Sequence, residues 1–481
     1  MSVSNAAAPN DRLTRRHLVV IAALGISAFL AVLDGTLVTV ALDSLTTTFA
    51  TTFDVVVWVT VGYLLAAAAV LPTLTWLTAR FGPRRVFLGG LVLFILTSAV
   101  VGFAPSIGWL IALRVLQGAA GGLLEPASIT LTASVAPRSR IGTVMGLFSL
   151  IINIAPVVGP VLGAYLVTAA DWPWLFWAKI PLGLIALILV YRFLPEDEAN
   201  EPGSPAAGRP DTGAVPDVLG IVALSTGVLA VLFAVNRVGS FPPAAIVALA
   251  AGGVLVLAGY TRRTLRSSDP KVAPPFDVRL LRYRAYTTSL AIMSVTGVTM
   301  YGLLTQLPLL AERGYGLTGT ATGALVTAFG IGLLIVMPIA SRVSDTIGPR
   351  PLVTTGAVGL TAVMAALTVL ISGQAAPLPV VVVALIAAGM SLGAIASPTF
   401  GNVYRTLPVE AAAQGTTGLF ICVQLAASVG VLAVGFLDDG GSAVLFGILA
   451  VLAAIAAGLS RLLPGRPERS GRPEQGETTA G

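Results

Sequence analysis

Fourteen apolar runs of roughly 20 residues, each long enough to cross a ~30 Å hydrocarbon core, leave this chain little choice of fold. They begin near residues 18, 55, 86, 107, 142, 174, 218, 243, 285, 317, 351, 377, 412 and 442. In lipid each backbone polar group must be satisfied within its own segment, so runs of this kind are expected to be helices. The chain therefore reads as an all-α polytopic membrane protein with 14 spans. Its 481 residues are 56% hydrophobic and only 10% charged, too apolar for a water-exposed surface.

An even number of spans places both termini on one side, and Lys and Arg mark the cytoplasmic side. Of the 28 Lys and Arg residues, all but Lys179, Arg237, Arg313 and Arg114 fall in the tails or the even-numbered loops, and Arg114 sits inside a span. Both termini are thus expected in the cytoplasm, with the protein multi-pass in the cell inner (cytoplasmic) membrane. The net charge of +6 expresses that topology, so the lipid bilayer and not nucleic acid is the expected partner. Thr14-Arg15-Arg16-His17 looks like a twin-arginine export signal, but its apolar run continues past Asp34 and is read as an uncleaved first helix. With Cys422 the only cysteine and His17 the only histidine, an internal disulfide and a Cys/His metal site are both ruled out. No cofactor or protein partner is expected. Neither Lys179 nor Lys271 follows Gly as a phosphate-binding loop requires, which argues against ATP as the direct energy source. A membrane enzyme would need an acid pair, a metal or a nucleophile with its base, and none stands out.

The runs divide the chain into an N-terminal six-helix bundle (1–194), linker loops with two additional helices (195–284), a C-terminal six-helix bundle (285–463) and a cytoplasmic tail (464–481). Residues 195–217 have the composition of a flexible loop, and the loop at about 262–284 carries seven basic residues, read as topology determinants. The cytoplasmic turn after the second span of each bundle shares a pattern: Thr75 to Arg85 reads TWLTARFGPRR, and Ser341 to Pro351 reads SRVSDTIGPRP. Inside the fifth run, Ala155 to Ala164 (APVVGPVLGA) sets Gly and Pro among small residues, which bends a membrane helix and lets neighbours approach.

On these residues the chain resembles the major facilitator superfamily, specifically its fourteen-helix drug:proton antiporter branch, over nearly its whole length. Leu33-Asp34-Gly35-Thr36 with Val40-Ala41-Leu42 matches the first-helix motif, Trp58 and Tyr63 the second helix, and Arg114-Val115-Leu116-Gln117-Gly118 the fourth. Gly159-Pro160-Val161-Leu162-Gly163 is similar to the fifth-helix antiporter motif, and Trp172 to Gly183 (WPWLFWAKIPLG) to the turn into the sixth helix. The resemblance implies the major facilitator fold: two six-helix bundles plus two extra central transmembrane helices. It also implies a conformational role for Pro156, Gly159, Pro160 and Gly163, and a cytoplasmic gate of Arg80, Gly82, Arg84, Arg85, Asp345, Gly348 and Arg350. The chain departs from the pattern at Thr75, Ala155 and Ala164, where the family has Gly, at Ala79, where it has Asp, at Thr346, where it has Arg, and at Lys179, where it has Asn.

Ionisable groups in hydrocarbon are costly and are functional candidates by default. Four qualify: Asp34, Arg114, Glu125 and, near a span end, Lys179, all in the first bundle. Arg114, Gln117, Gly118, Gly121, Gly122 and Glu125 share one face of the fourth helix. At ~1.5 Å per residue, Asp34 and Arg114 lie about 7 and about 11 Å outward of their span midpoints and Glu125 about 5 Å inward. Asp34 and Arg114 thus lie at similar depth and could pair. A cation favours the carboxylate form and desolvation the neutral one, so Glu125 is the better proton carrier, with Asp34 and Arg114 setting the outward state. A structural ion pair and a helix-packing hydrogen bond are the alternative roles. Trp58, Tyr63, Gln117, Asn153, Gln306 and Gln424 are candidates for the substrate path, or for interhelical bonding.

The expected function is a proton-coupled secondary antiporter that exports amphipathic or cationic organic compounds by alternating access, with protons as the coupling ion. Transport of another physiological solute or metabolite is the alternative.

Overall fold

The computed structural model describes residues 14–136, 140–194, 215–239, 241–267, 272–317, 321, 323–372, 376–408, 411–436 and 442–465; some side chains within helices, among them those of Asn153, Pro156 and Pro160, lie outside the described residues. Helix fills all fourteen expected places. The first bundle holds α1 (Arg15–Leu37), α2 (Asp54–Phe81), α3 (Pro83–Val101), α4 (Ile107–Val135), α5 (Ile141–Ala169) and α6 (Trp174–Phe193). Then come α7 (Val218–Asn236) and α8 (Pro243–Arg266). The second bundle holds α9 (Arg284–Tyr315), α10 (Ala324–Ile347), α11 (Pro349–Ser372), α12 (Leu378–Thr406), α13 (Ala412–Phe436) and α14 (Ser442–Ser460). Among the described residues thirteen helices are long and apolar enough to cross a membrane, and α5, 29 residues long, takes the remaining place. This is a multi-pass membrane protein.

Two local expectations shift. The tenth span starts at Ala324 rather than near residue 317, because Gly316 takes the left-handed conformation (φ +63°) and ends α9. The first long loop is not loop to its end: Val215 and Pro216 pair in parallel with Val272 and Ala273, the one strand pair among the described residues. Asp217 then caps α7 by accepting the Gly220 N–H at 2.8 Å and pairs with Arg263 at 2.6 Å.

The helices pack in a repeated pattern. In the first six, α1 lies against α4, α5 and α6, α2 against α4, and α3 against α4 and α6. The last six repeat this: α9 lies against α12, α13 and α14, α10 against α12, and α11 against α12 and α14. The two sixes meet along two seams, α5 with α10 and α12, and α13 with α2 and α4. Between them α7 touches both α2 and α13, while α8 packs on α7. Large apolar side chains such as Leu96, Ile188, Leu255 and Val369 are exposed on the outside, as lipid permits.

The shared turns are structurally equivalent. Gly82 and Gly348 hold φ of 86° and 84°, which a side chain would resist, and a proline then opens the next helix. Arg84 donates to the carbonyl of Tyr191 at the end of α6 at 2.8 Å, and Arg350 donates to that of Arg461 after α14. These arginines tie each turn to the last helix of its own bundle.

Candidate functional site

Three buried charges from three helices converge at the end of the first bundle away from the Gly82 turn. Asp34 on α1 accepts from Arg114 on α4 with one carboxylate oxygen and pairs through the other with Lys179, at the entry to α6. Asp34 and Arg114 are 0% exposed and Lys179 is 3% exposed, so water does not screen the cluster. Arg114 also donates through Nε to the Val59 carbonyl (3.0 Å) and through Nη1 to Gln117 (2.7 Å), and Gln117 donates to Ser98 on α3 (2.7 Å). Tyr63 closes the site from α2: its ring centre lies 4.3 Å from the Arg114 guanidinium carbon, and its hydroxyl donates to the Ala31 carbonyl at 2.8 Å. The Lys179 ammonium sits 4.9 Å from the Phe176 ring centre and 5.5 Å from that of Phe94.

This pairs Asp34 with Arg114, brings Gln117 and Tyr63 into the same network, and adds two residues the sequence did not place there, Lys179 and Ser98. Lys179 was visible as a lysine in a span, but its partner was not. One carboxylate faces two basic groups, so losing the Asp34 charge would leave both without their anion.

Glu125 is set apart. It lies further along the same face of α4, half-buried, and among the described residues it makes no hydrogen bond or ion pair. Its helix packs on α2 of the first bundle and on α13 of the second, and its carboxylate lies within electrostatic range of the phenols of Tyr63 and of Tyr301 on α9. Pro126 follows it inside the helix and cannot donate to the Gly122 carbonyl, leaving α4 free to bend there.

Other candidates are occupied or separate. The Trp58 ring is covered by Arg237, whose guanidinium carbon is 4.4 Å from the ring centre, so it fastens the C-terminal end of α7 to α2. Gln306 donates to Ser442 at 2.7 Å, joining α9 to α14. Gln424 is half-buried on α13. Gly159 lies against Thr36 of α1 so closely that a methyl group there would collide, whereas the Asn153, Pro156 and Pro160 side chains are outside the described residues. Gly163 is buried.

Of the gate candidates, Asp345 bridges the bundles. It accepts from the backbone N–H (2.9 Å) and hydroxyl (3.1 Å) of Thr143 at the start of α5, and from Arg405 at 2.6 Å. An acid on the first turn of a helix satisfies a free N–H and faces the positive end of its dipole. Arg80 and Arg85 are exposed. Thr143 and Arg405 carry no sequence signal, since their partner comes from a distant helix.

The family model for the Major Facilitator Superfamily matches residues 24–318 and 287–480. The chain is 31% identical over 408 residues to the "Multidrug resistance protein B homolog" of Mycobacterium tuberculosis, covering 84% of this chain and 73% of that protein. It is 28% identical to the "Uncharacterized transporter YebQ" of Escherichia coli, covering 91% and 93%. Similarity to the "Multidrug export protein EmrB" of Escherichia coli is 27% identity, covering 69% and 63%. In fold it is similar to the proton:xylose symporter XylE, with TM-score 0.65, 16% identity and coverage of 93% and 96%. The human organic anion transporter MFSD10 gives TM-score 0.62, 16% identity and coverage of 92% and 99%.

Proposed function

The chain belongs to the major facilitator superfamily, and on that premise we propose that it is a proton-coupled antiporter exporting amphipathic or cationic organic compounds. It works across the cytoplasmic membrane with both termini inside, residues 1–194 and 285–463 rocking as two bundles around 195–284. The observation that carries the reading is Glu125, a half-buried carboxylate on a helix of the seam between the bundles, with no partner among the described residues. A charge kept there without a partner is costly, and it is relieved by either a proton or the cationic end of an organic compound. Binding one excludes the other, which is the logic of exchange. Relatives whose names carry multidrug resistance and export support the substrate class.

Asp34, held by Arg114 and Lys179, is the fixed part of the machinery. It ties α1, α4 and α6 into one body, so that movement at Glu125 is passed on to the whole first bundle. The close contact of Gly159 with Thr36 joins α5 to that body.

The test is accumulation of fluorescent cationic and neutral compounds in cells with and without the protein. Export should stop when an uncoupler collapses the proton gradient, and should be lost in Glu125→Gln. Export insensitive to the uncoupler, or unchanged in Glu125→Gln, would refute the proposal.

A further inference from the structure

The two seams between the bundles are closed on the cytoplasmic side in different ways. At the first, Asp345 of α10 receives the Thr143 N–H of α5. The turn motif aligns Ala79 of α2 with Asp345. The fifth helices align through Gly159, which packs on α1, and Gly430, which packs on α9. At equal distance before these glycines stand Thr143 and Gln414. By these equivalences the second seam has Ala79 at the place of Asp345 and Gln414 at the place of Thr143, with no gate acid at that place.

A piece of the α8–α9 linker fills it. The Thr75 hydroxyl of α2 donates to the Pro275 carbonyl at 3.0 Å, and Gln414 accepts the Asp277 N–H at 3.2 Å. Between these two anchors lies Phe276. Its backbone carbonyl accepts from the Tyr260 hydroxyl at 2.6 Å, and its ring rests on α13 where Gly418 has no side chain. It packs both against the cluster of Ala68, Leu71 and Ile421 and against that of Leu280, Tyr286 and Leu419.

We propose that Pro275, Phe276 and Asp277 form a wedge that closes the α2–α13 seam in place of the missing gate acid, and that leaves the seam when the cytoplasmic side opens. The role in opening rests on the alternating-access reading above; the closure of the seam does not. Across the seam the wedge is held by two hydrogen bonds between uncharged groups and by an aromatic ring, while the Asp277 carboxylate turns to the Arg279 N–H at 2.9 Å, so it releases without separating charges, unlike Asp345 at the other seam.

Cys422, the only cysteine, packs against the same cluster as Phe276 and reports on the wedge. Gly418→Ala improves the helix propensity of α13 while its methyl group takes the place of the Phe276 ring edge and meets the Tyr286 hydroxyl, so Phe276→Ala is the variant that acts on the ring alone. Maleimide labelling of Cys422 in purified protein should speed up at least fivefold in Gly418→Ala and in Phe276→Ala. Labelling at the parent rate in both variants would overturn the wedge. In a Cys422→Ser background, Thr75→Cys with Pro275→Cys, joined by a short reducible thiol cross-linker, should export at less than a tenth of the uncross-linked rate and recover on reduction. Export at full rate while cross-linked would overturn the opening step. Absence of export from the parent would count against the transport reading alone, since the labelling rates need no substrate.

Discussion

The two six-helix bundles share one scaffold and differ in what fills it. Gly118 of α4 meets the Tyr63 carbonyl of α2, and Gly389 of α12 meets the Phe329 carbonyl of α10. That contact places Leu385 and Ala388 where the first bundle has Arg114 and Gln117, and Ala396 in the place of Glu125. The turn motif sets Phe329 against Tyr63 and Met364 against Ser98. The Arg84 and Arg350 bonds set Leu449 against Lys179, and the α1–α5 and α9–α13 glycine contacts set Met300 against Asp34. Every polar member of the first site thus has an apolar counterpart, and all seven counterparts lie in or against a single hydrophobic cluster. The scaffold does not need the charges. In the second bundle the same helices close over apolar groups, so the buried charges of the first are an expense with another purpose.

The comparison breaks if Asp34 proves replaceable. Asp34→Asn leaves Arg114 and Lys179 without their anion, and the cost should be about 3–5 kcal/mol, as for other buried pairs that lose one partner. Thermal unfolding in detergent measures it. Met300→Leu, the counterpart change, should cost less than about 1.5 kcal/mol, and equal losses in the two variants would show that the bundles are not held differently.

Copying the second bundle into the first sharpens the contrast. Asp34→Met, Arg114→Leu and Lys179→Leu together remove all three charges, and such replacements are neutral or stabilising by about 1–4 kcal/mol. The triple variant should unfold at or above the parent temperature while its export falls at least a hundredfold. Retained export would make the cluster purely structural.

Glu125→Gln should separate the two polar sites. The amide keeps the shape of a group with no partner among the described residues, so stability should stay within about 0.5 kcal/mol. Proton-driven export in liposomes should drop at least tenfold. A loss of stability as large as that of Asp34→Asn would mean that Glu125 belongs to the same framework.

Much of this was legible in the chain. Span positions follow from hydropathy, because lipid enforces it along every helix, and similar depth made an Asp34–Arg114 pair possible. Lys179 was harder. Its span opens with the separate turn Trp174–Trp177 before Ile180–Phe193 begins, and only tertiary packing decides how deep such a broken entry sits. The wedge was less legible still. Pro275, Phe276 and Asp277 read as linker, and their anchors Thr75 and Gln414 lie far away along the chain. The apolar counterparts could not be assigned at all from sequence, since Leu385 or Leu449 carries no mark that links it to Arg114 or Lys179. Backbone contacts supply that register.

The smallest expected effect tests the shared half of the comparison. Arg84 and Arg350 each carry a charged donor to a carbonyl at the end of the last helix of their own bundle, where a cation also faces the negative end of the helix dipole. Neither contacts the other bundle through this bond. If the scaffold is common and only its filling differs, Arg84→Ala and Arg350→Ala should each cost about 0.3–1 kcal/mol and match each other within the error of the unfolding measurement. Export should fall equally little in both. A deficit confined to Arg84→Ala would tie that turn to the polar bundle's work; one confined to Arg350→Ala would point to Asp345, which shares its turn and is the only acid among the gate candidates to reach across to the other bundle.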